Sequence, residues 1–297
     1  MHKSDLAGLL LLSVLWGAAY LFMRAAVPAF GPSALIALRM GIAVAVLLPL
    51  LAWRGGLGQL WSRPLPLLVQ ALPFTALPFW LLGWSAQHLT AGLLAVLNAT
   101  APLFAALLSH FVFHERLGRW RSAGLVIGFG GVALLTAGSV SFRSGQGLLA
   151  VGLVLLVSAG WAVGAHYTRR KLADMDGLAL TVGSLGLAGL ALAPLAVATW
   201  PAAPPPPPRA WVEMAFLGVA SSGLGFLLYY RLLRRIGPVR AMSVTFLNPV
   251  VALSAGWVYL GESVSLQTLA GTAVVLAGTA LALGLWPAAG TSKAPSP

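Results

Sequence analysis

Residues 102–134 read PLFAALLSHFVFHERLGRWRSAGLVIGFGGVAL, and residues 249–281 read PVVALSAGWVYLGESVSLQTLAGTAVVLAGTAL. At an offset of 147 (249 minus 102) they lay Pro102 on Pro249, Ala105 on Ala252, Glu115 on Glu262, Gly124 on Gly271, Gly131 on Gly278 and Leu134 on Leu281. Each copy is an apolar helix led by a proline, an acidic turn, and a second helix with spaced glycines. A fainter echo at an offset of 145 (161 minus 16) lays Trp16 on Trp161 and Arg24 on Arg169. Two similar apolar halves with a seam between them form the plan of a transporter, because a substrate can sit at the seam while the halves rock.

The surrounding composition agrees. The 297 residues are 59% hydrophobic and 8% charged, with a mean hydropathy of +0.90, well above the range of soluble globular domains. A net charge of +12 would suggest nucleic acid in a soluble chain. Here the basic residues sit in short gaps between apolar segments, where they orient a membrane protein instead. There is no cysteine, which excludes disulfide scaffolds, thiolate metal sites and cysteine nucleophiles. Lys3 ahead of the run from Leu6 to Phe22, with Val27, Pro28 and Ala29 behind it, is faintly like a signal peptide; its pairing with the segment around Trp161 makes it an uncleaved first span.

Using arginine, proline and glycine clusters as breaks, apolar segments long enough for a core of about 30 Å fall at 5–26, 32–53, 66–87, 91–113, 119–138, 145–168, 177–199, 209–233, 238–260 and 265–286. They lack strand alternation, so the fold class is an all-α membrane protein of ten transmembrane helices. Five spans per half is an odd number, so the repeats over 1–138 and 145–286 enter the membrane in opposite orientations, and 287–297 is a flexible tail. With both termini cytoplasmic, the inner side receives Lys3, Arg54, Arg63, Arg116, Arg119, Arg121, Arg169, Arg170, Lys171, Arg231, Arg234, Arg235, Arg240 and Lys293. The outer side receives Arg24, Arg143 and Arg209, and Arg39 lies within the second span. That bias of fourteen to three supports the count, because one missed span would swap every later loop between sides. Pro204 to Pro208 form a stiff extended spacer.

The six carboxylates, Asp5, Glu115, Asp174, Asp176, Glu213 and Glu262, all fall at or near span ends. A proton-coupled exporter of cations usually needs a buried midplane acid, so lipophilic cations fit poorly. Arg39 is the intramembrane ion, open to an anionic substrate group or to a carbonyl or hydroxyl of the protein. Ser13, Trp16, Gly17 and Tyr20 share a helix face, as do Ser158, Trp161 and Ala165, which places Trp16 and Trp161 facing each other across the seam. Phe79, Trp80, Gly83 and Trp84 crowd one region of a span kinked by Pro73 and Pro78. Trp53, Trp61, Trp120 and Trp200, near span ends, suit the interfacial belt. Asn98 and Asn248 precede Pro102 and Pro249, where helix breaks would free carbonyls; they serve either a substrate or helix-to-helix contact. His110, His114 and Glu115 make a weak metal pattern without a further ligand, and Glu115 and Glu262 read better as helix-end carboxylates.

The runs Leu93 to Leu135 and Tyr229 to Leu283, with Pro102, Glu115, Gly124 and Gly131 in one and Arg240, Ala241, Pro249, Leu260, Gly261, Glu262, Gly271 and Gly278 in the other, resemble the paired EamA modules of the drug/metabolite transporter superfamily. Leu15, Trp16, Gly17 and Arg39 fit the opening of the first module. The resemblance implies a ten-helix carrier of the bacterial inner membrane, often an exporter of amino acids or other metabolites, with a cavity lined by both halves. It names no substrate. Smaller multidrug relatives carry an acid in their first helix, and this stretch has none.

The expectation is therefore an alternating-access exporter of amino acids with aromatic or other apolar side chains, and not an enzyme. Trp16, Tyr20, Phe79, Trp80, Trp84 and Trp161 would wall the substrate site, and Asn98, Asn248 and Tyr229 would hold its zwitterionic end. Pro102, Pro249 and Arg39 would serve structure or gating. No cofactor or metal is implied. The expected partners are a small-molecule substrate and the lipid bilayer, with no nucleic acid, as a monomer or a dimer. A carrier of the same fold for sugars, nucleotide precursors or other metabolites is the alternative, and a membrane-embedded lipid enzyme would need a convergent acid, base or metal cluster.

Overall fold

The computed structural model describes residues 2–114, 117–137, 145–202, 204–236 and 244–284, all helix, turn or irregular chain without a β-strand. The expectations for Glu115, Arg116, Arg143, Arg240, Ala241, Lys293 and the tail 287–297 lie outside the described residues. The helices are α1 (Lys3–Trp53), α2 (Gln59–Ser62), α3 (Pro64–Ala71), α4 (Leu77–Ser85), α5 (Ala91–Asn98), α6 (Ala101–Phe113), α7 (Arg119–Thr136) and α8 (Gln146–Lys171). They continue as α9 (Gly177–Ala198), α10 (Pro208–Ala215), α11 (Gly225–Ile236), α12 (Val244–Leu260) and α13 (Leu266–Ala282).

Among the described residues, six helical runs are long and apolar enough to cross a membrane: Lys3–Trp53, Pro64–Ser85, Ala91–Val112, Gln146–Lys171, Gly177–Ala198 and Pro208–Tyr229. Val244–Leu260 and Leu266–Ala282 are shorter apolar helices. In hydrocarbon the backbone must satisfy its own polar groups, which is why such runs become helices. The chain is an integral membrane protein with several membrane-crossing helices. Its outward side chains fit that solvent, with Leu190 71%, Val197 79% and Val258 76% exposed.

At 51 residues, α1 would be about 75 Å long if straight, more than twice the hydrocarbon thickness. It is broken at Gly31, whose φ of 70° lies in the left-handed region that side chains other than glycine avoid. Pro32 follows at once and cannot donate back across the break. The two limbs, 3–30 and 32–53, correspond to the first two expected spans, with the first limb running four residues further than the sequence suggested. Caps start several later helices. Thr90 Oγ1 accepts from Leu93 N at 3.3 Å, Asp176 Oδ2 from Leu178 N at 2.9 Å and Ser265 Oγ from Thr268 N at 3.1 Å, each satisfying a first-turn donor.

The repeated glycines meet one another. A side chain at Gly124 would strike the backbone of Gly278 and Ala282, one at Gly131 would strike Val275, one at Gly278 would strike the backbone of Gly128, and one at Gly271 would strike Leu135. As numbers rise along α7 they fall along α13, so these two sequence-equivalent helices pack antiparallel with backbones in contact. The glycine faces are thus buried inside the monomer. The largest core surrounds both limbs of α1 and holds Phe30, Leu35, Ile36, Met40, Leu94 and Leu97.

Candidate functional site

Two helical runs are interrupted by π-helical turns, Leu72–Ala76 between α3 and α4 and Phe216–Leu224 between α10 and α11. Adding 147 to 72–76 gives 219–223, so both halves carry the irregularity at the same place. A π-turn leaves carbonyls out of the regular ladder and is common at functional sites. In the first copy Thr75 Oγ1 donates to Gln70 O at 3.1 Å. In the second, Ser221 O accepts from Trp16 Nε1 at 3.2 Å.

Arg39 is 5% exposed, on the second limb of α1. Its Nε donates to Ser222 Oγ at 2.8 Å and its Nη2 to Ser221 Oγ at 3.2 Å. The guanidinium also lies over the Phe79 ring, 4.8 Å from its centroid, a favourable placement for a desolvated cation. Of the two readings left open for Arg39, the one with hydroxyls of the protein is realised here. Ser221 is a hub, since its hydroxyl holds Arg39 while its carbonyl holds Trp16.

Trp16 and Trp161 were expected to face each other, and the structure gives each a different partner. Trp16 packs against Phe226, with centroids 5.7 Å apart and planes at 63°, and against Tyr229 at 5.3 Å. Trp161 packs against Phe79 at 5.6 Å and 60°. Phe226 lies 147 positions after Phe79. The repeat therefore relates the two edge-to-face pairs, and each joins a tryptophan of one half to a phenylalanine of the other. The offset that lays Trp16 on Trp161 thus marks equivalent positions, each with its own aromatic partner. The other expected aromatics diverge. Trp80 Nε1 donates to Ser33 Oγ at 3.0 Å, and Trp84 stacks near His88 at 4.3 Å. Trp53 and Trp61 are each 83% exposed.

The helix does break at Pro102, between α5 and α6. The freed carbonyls are taken by hydroxyls: Leu97 O accepts from Thr100 Oγ1 at 2.6 Å and Ser158 Oγ at 3.3 Å, and Ala99 O accepts from Thr279 Oγ1 at 3.4 Å. The break expected at Pro249 is not found, because α12 runs through it as one helix. One proline removes a single ladder bond, and neighbouring helices hold the rest. Tyr20, 6% exposed, accepts from Asn98 Nδ2 at 2.5 Å. The side-chain oxygens of Asn98 and Asn248 are buried without a hydrogen-bond partner among the described residues.

At the end of the molecule near α5, Glu262 closes a junction. Both its carboxylate oxygens accept from Ala91 N at 3.1 Å, and Arg24 Nε lies 3.9 Å away. Arg24 also donates to Ala86 O at 3.0 Å. Burial pushes the Glu262 carboxyl above its ordinary range, against the opposing pull of the Ala91 N–H, Arg24 and the Gly92 N–H. Nearby Glu213 is 3% exposed, bound to Arg209 at 3.0 Å and accepting from Tyr259 Oη at 3.4 Å. A cleft of about 420 Å³ opens there, lined by Pro28, Pro207, Arg209, Glu213 and Leu260 among others. Among the described residues no three His, Asp or Glu side chains form a set that could hold a metal ion.

The model of the EamA-like transporter family matches twice, over residues 4–137 and 148–284. The chain belongs to the EamA-like transporter family. Among curated relatives, it is 27% identical over 277 residues to the "Probable terminal-alkyne amino-acid exporter" of Streptantibioticus cattleyicolor, covering 92% of this chain and 91% of the relative. It is 27% identical over 289 residues to the "Uncharacterized inner membrane transporter YedA" of Escherichia coli K12, covering 93% and 90%, and 24% identical over 275 residues to the "Uncharacterized transporter YoaV" of Bacillus subtilis, covering 91% and 94%. A solved structure described as "Crystal structure of protein" shares the fold, with a TM-score of 0.69 at 20% identity over 96% of this chain and 99% of that one.

Several residues of the transporter's seam escaped the sequence reading. Phe226 was signalled by its offset of 147 from Phe79. Ser221 and Ser222 carried no such signal, because paired serines between glycines read as packing until Arg39 is seen to reach them.

Proposed function

We propose that this transporter is a secondary carrier that exports amino acids with aromatic or other apolar side chains across the bacterial inner membrane. It works by alternating access of two oppositely oriented five-helix halves with cytoplasmic termini. The observation that carries the reading is the reciprocal aromatic pairing, Trp16 with Phe226 and Trp161 with Phe79, at a seam where the buried cation Arg39 touches Phe79. Rings that pair edge-to-face across a moving seam can open to admit another ring at modest cost, since each pair is worth about 0.5–1.5 kcal/mol beyond burial.

The antiparallel packing of α7 on α13 supports opposite orientations. The division of ion pairs supports the topology: Arg63 with Asp174 at 2.6 Å and Asp5 with Arg235 at 3.4 Å lie in regions assigned to the inner face, and Arg24 with Glu262 in those assigned to the outer face. The cleft beside Arg209 and Glu213 would be the outer vestibule. The amino-acid exporter among the relatives supports the substrate class. Asn98, Asn248 and Tyr229 would hold the polar end of the substrate, and Tyr20, Trp80 and Trp84 would shape its surroundings.

The test is counterflow of labelled amino acids into liposomes holding the purified protein, with and without a pH gradient. Uptake of phenylalanine, tryptophan or leucine independent of the gradient is expected. Intact monodisperse protein that moves no amino acid would overturn the substrate class and point to sugars or nucleotide precursors.

A further inference from the structure

Asn98 and Asn248 are 9% and 5% exposed, and the Oδ1 atom of each has no donor among the described residues. Buried acceptors are rarely left so, because their lost hydration is not replaced. The Asn98 amide is held by its other end, since Nδ2 is committed to Tyr20 Oη, and this leaves the oxygen as the free atom.

Packing brings the two asparagines level. A side chain at Gly92 would meet Leu253, and one at Gly256 would meet Ala91, so α5 and α12 cross antiparallel. The paired numbers sum to about 346, which sets residue 98 opposite residue 248. Both flank one turn of α1: Tyr20 holds Asn98, and Gly17 lies against the Asn248 carbonyl and Val251, where a Cβ would collide. Asn98, held by Tyr20, and the backbone of Asn248, against Gly17, therefore both lie at one turn of α1 that also carries Trp16.

We propose that Asn98 Oδ1 and Asn248 Oδ1, with Tyr20 Oη, form a subsite for the primary ammonium group of the transported molecule. An ammonium has three donors and no acceptor, so it suits a set composed of oxygens. None of the described carboxylates is on α5, α12 or that turn of α1, and the charged group that acts on Tyr20 is the buried Arg39 guanidinium, so the subsite has no countercharge of its own and a substrate must bring one. A zwitterion, whose own carboxylate balances the ammonium, is then preferred to a bare amine, because an unbalanced buried cation is costly. This rests on the amino-acid reading above and assigns one end of that substrate.

The test is competition in counterflow of labelled phenylalanine by 3-phenyllactate, in which a hydroxyl replaces the amino group, and by 2-phenylethylamine, which lacks the carboxylate. Wild-type protein should prefer phenylalanine to each at least tenfold; equal competition by phenyllactate would overturn the subsite without any variant. Asn248→Leu keeps the branched shape, with a somewhat larger side chain, and removes the unpaired oxygen. It should weaken phenylalanine at least tenfold, leave phenyllactate within about twofold, and raise the thermal unfolding midpoint of the ligand-free protein, since a polar group without a partner has gone. Asn248→Asp should shift preference toward 2-phenylethylamine. A folded Asn248→Leu variant with unchanged discrimination would refute the assignment. If phenylalanine is not transported, thermal stabilisation of the purified protein by saturating phenylalanine decides. Stabilisation lost in Asn248→Leu keeps the subsite and discards the transport reading, and no stabilisation, or stabilisation that survives in Asn248→Leu, discards the subsite as well.

Discussion

Glu262→Ala tests the junction that ties α5 to the turn between α12 and α13. The substitution removes both acceptors of Ala91 N, in a first helical turn where Ala91 is 0% exposed and water cannot step in. Loss of a cap costs about 0.5–2 kcal/mol, and a bond to a charged acceptor is worth about 1.5–3 kcal/mol. The 3.9 Å contact with Arg24, itself one third exposed, adds less than about 1 kcal/mol, because Arg24 keeps its bond to Ala86 O. The expected loss is about 2–3 kcal/mol in an equilibrium unfolding titration in mixed micelles. Glu262→Gln keeps an oxygen for Ala91 N and removes the titrating charge. Since folding raises the carboxyl above its ordinary value of 4.5, the folded protein binds the proton more tightly than the unfolded chain does. Wild-type stability then falls as pH rises from about that value through the higher folded one. Glu262→Gln should flatten this trend and become the more stable protein at the upper end. Glu262→Ala within 0.5 kcal/mol of wild type, or wild-type stability that climbs with pH across that window, would refute the reasoning.

Trp16→Ala and Trp161→Ala should each abolish most transport while leaving a monodisperse protein, and a double-mutant cycle of Trp16 with Phe226 should return a coupling of about 0.5–1.5 kcal/mol by unfolding titration. The cycle of Trp161 with Phe79 should return a similar value, and a zero in either would dissolve the reciprocal pairing. Gly278→Leu pushes a side chain into the backbone of Gly128, which cannot yield as a side chain would, so a loss of at least about 3 kcal/mol or failure to fold is expected by size-exclusion chromatography. A neutral result would mean that α7 and α13 are not in backbone contact. Ser222→Ala leaves Arg39 Nε without its 2.8 Å acceptor and should cost about 1–3 kcal/mol, with Ser222→Thr recovering most of it. Equal stability of the Ala and Thr variants would show that Arg39 is held by other groups.

The internal offset and the apolar runs determined that this chain spans a membrane as helices in two related halves, because hydropathy and backbone satisfaction leave few other solutions in lipid. Pro102 announced a helix break, and the glycines near 124, 131, 271 and 278 announced close packing; both follow from local sterics that a residue carries wherever it is placed. Which helix meets which was decided by tertiary structure alone. Nothing in the sequence around Ser221 and Ser222 says that Arg39, some 180 positions earlier, will reach them, and nothing near Trp16 selects Phe226 over Trp161. Pro249 shows the same limit from the other side, since its potential to break a helix is local but α12 stays intact under the packing of its neighbours. Contacts between distant segments depend on how the two halves turn onto each other, and that turn is set by the summed packing of many side chains, of which no single motif keeps a record.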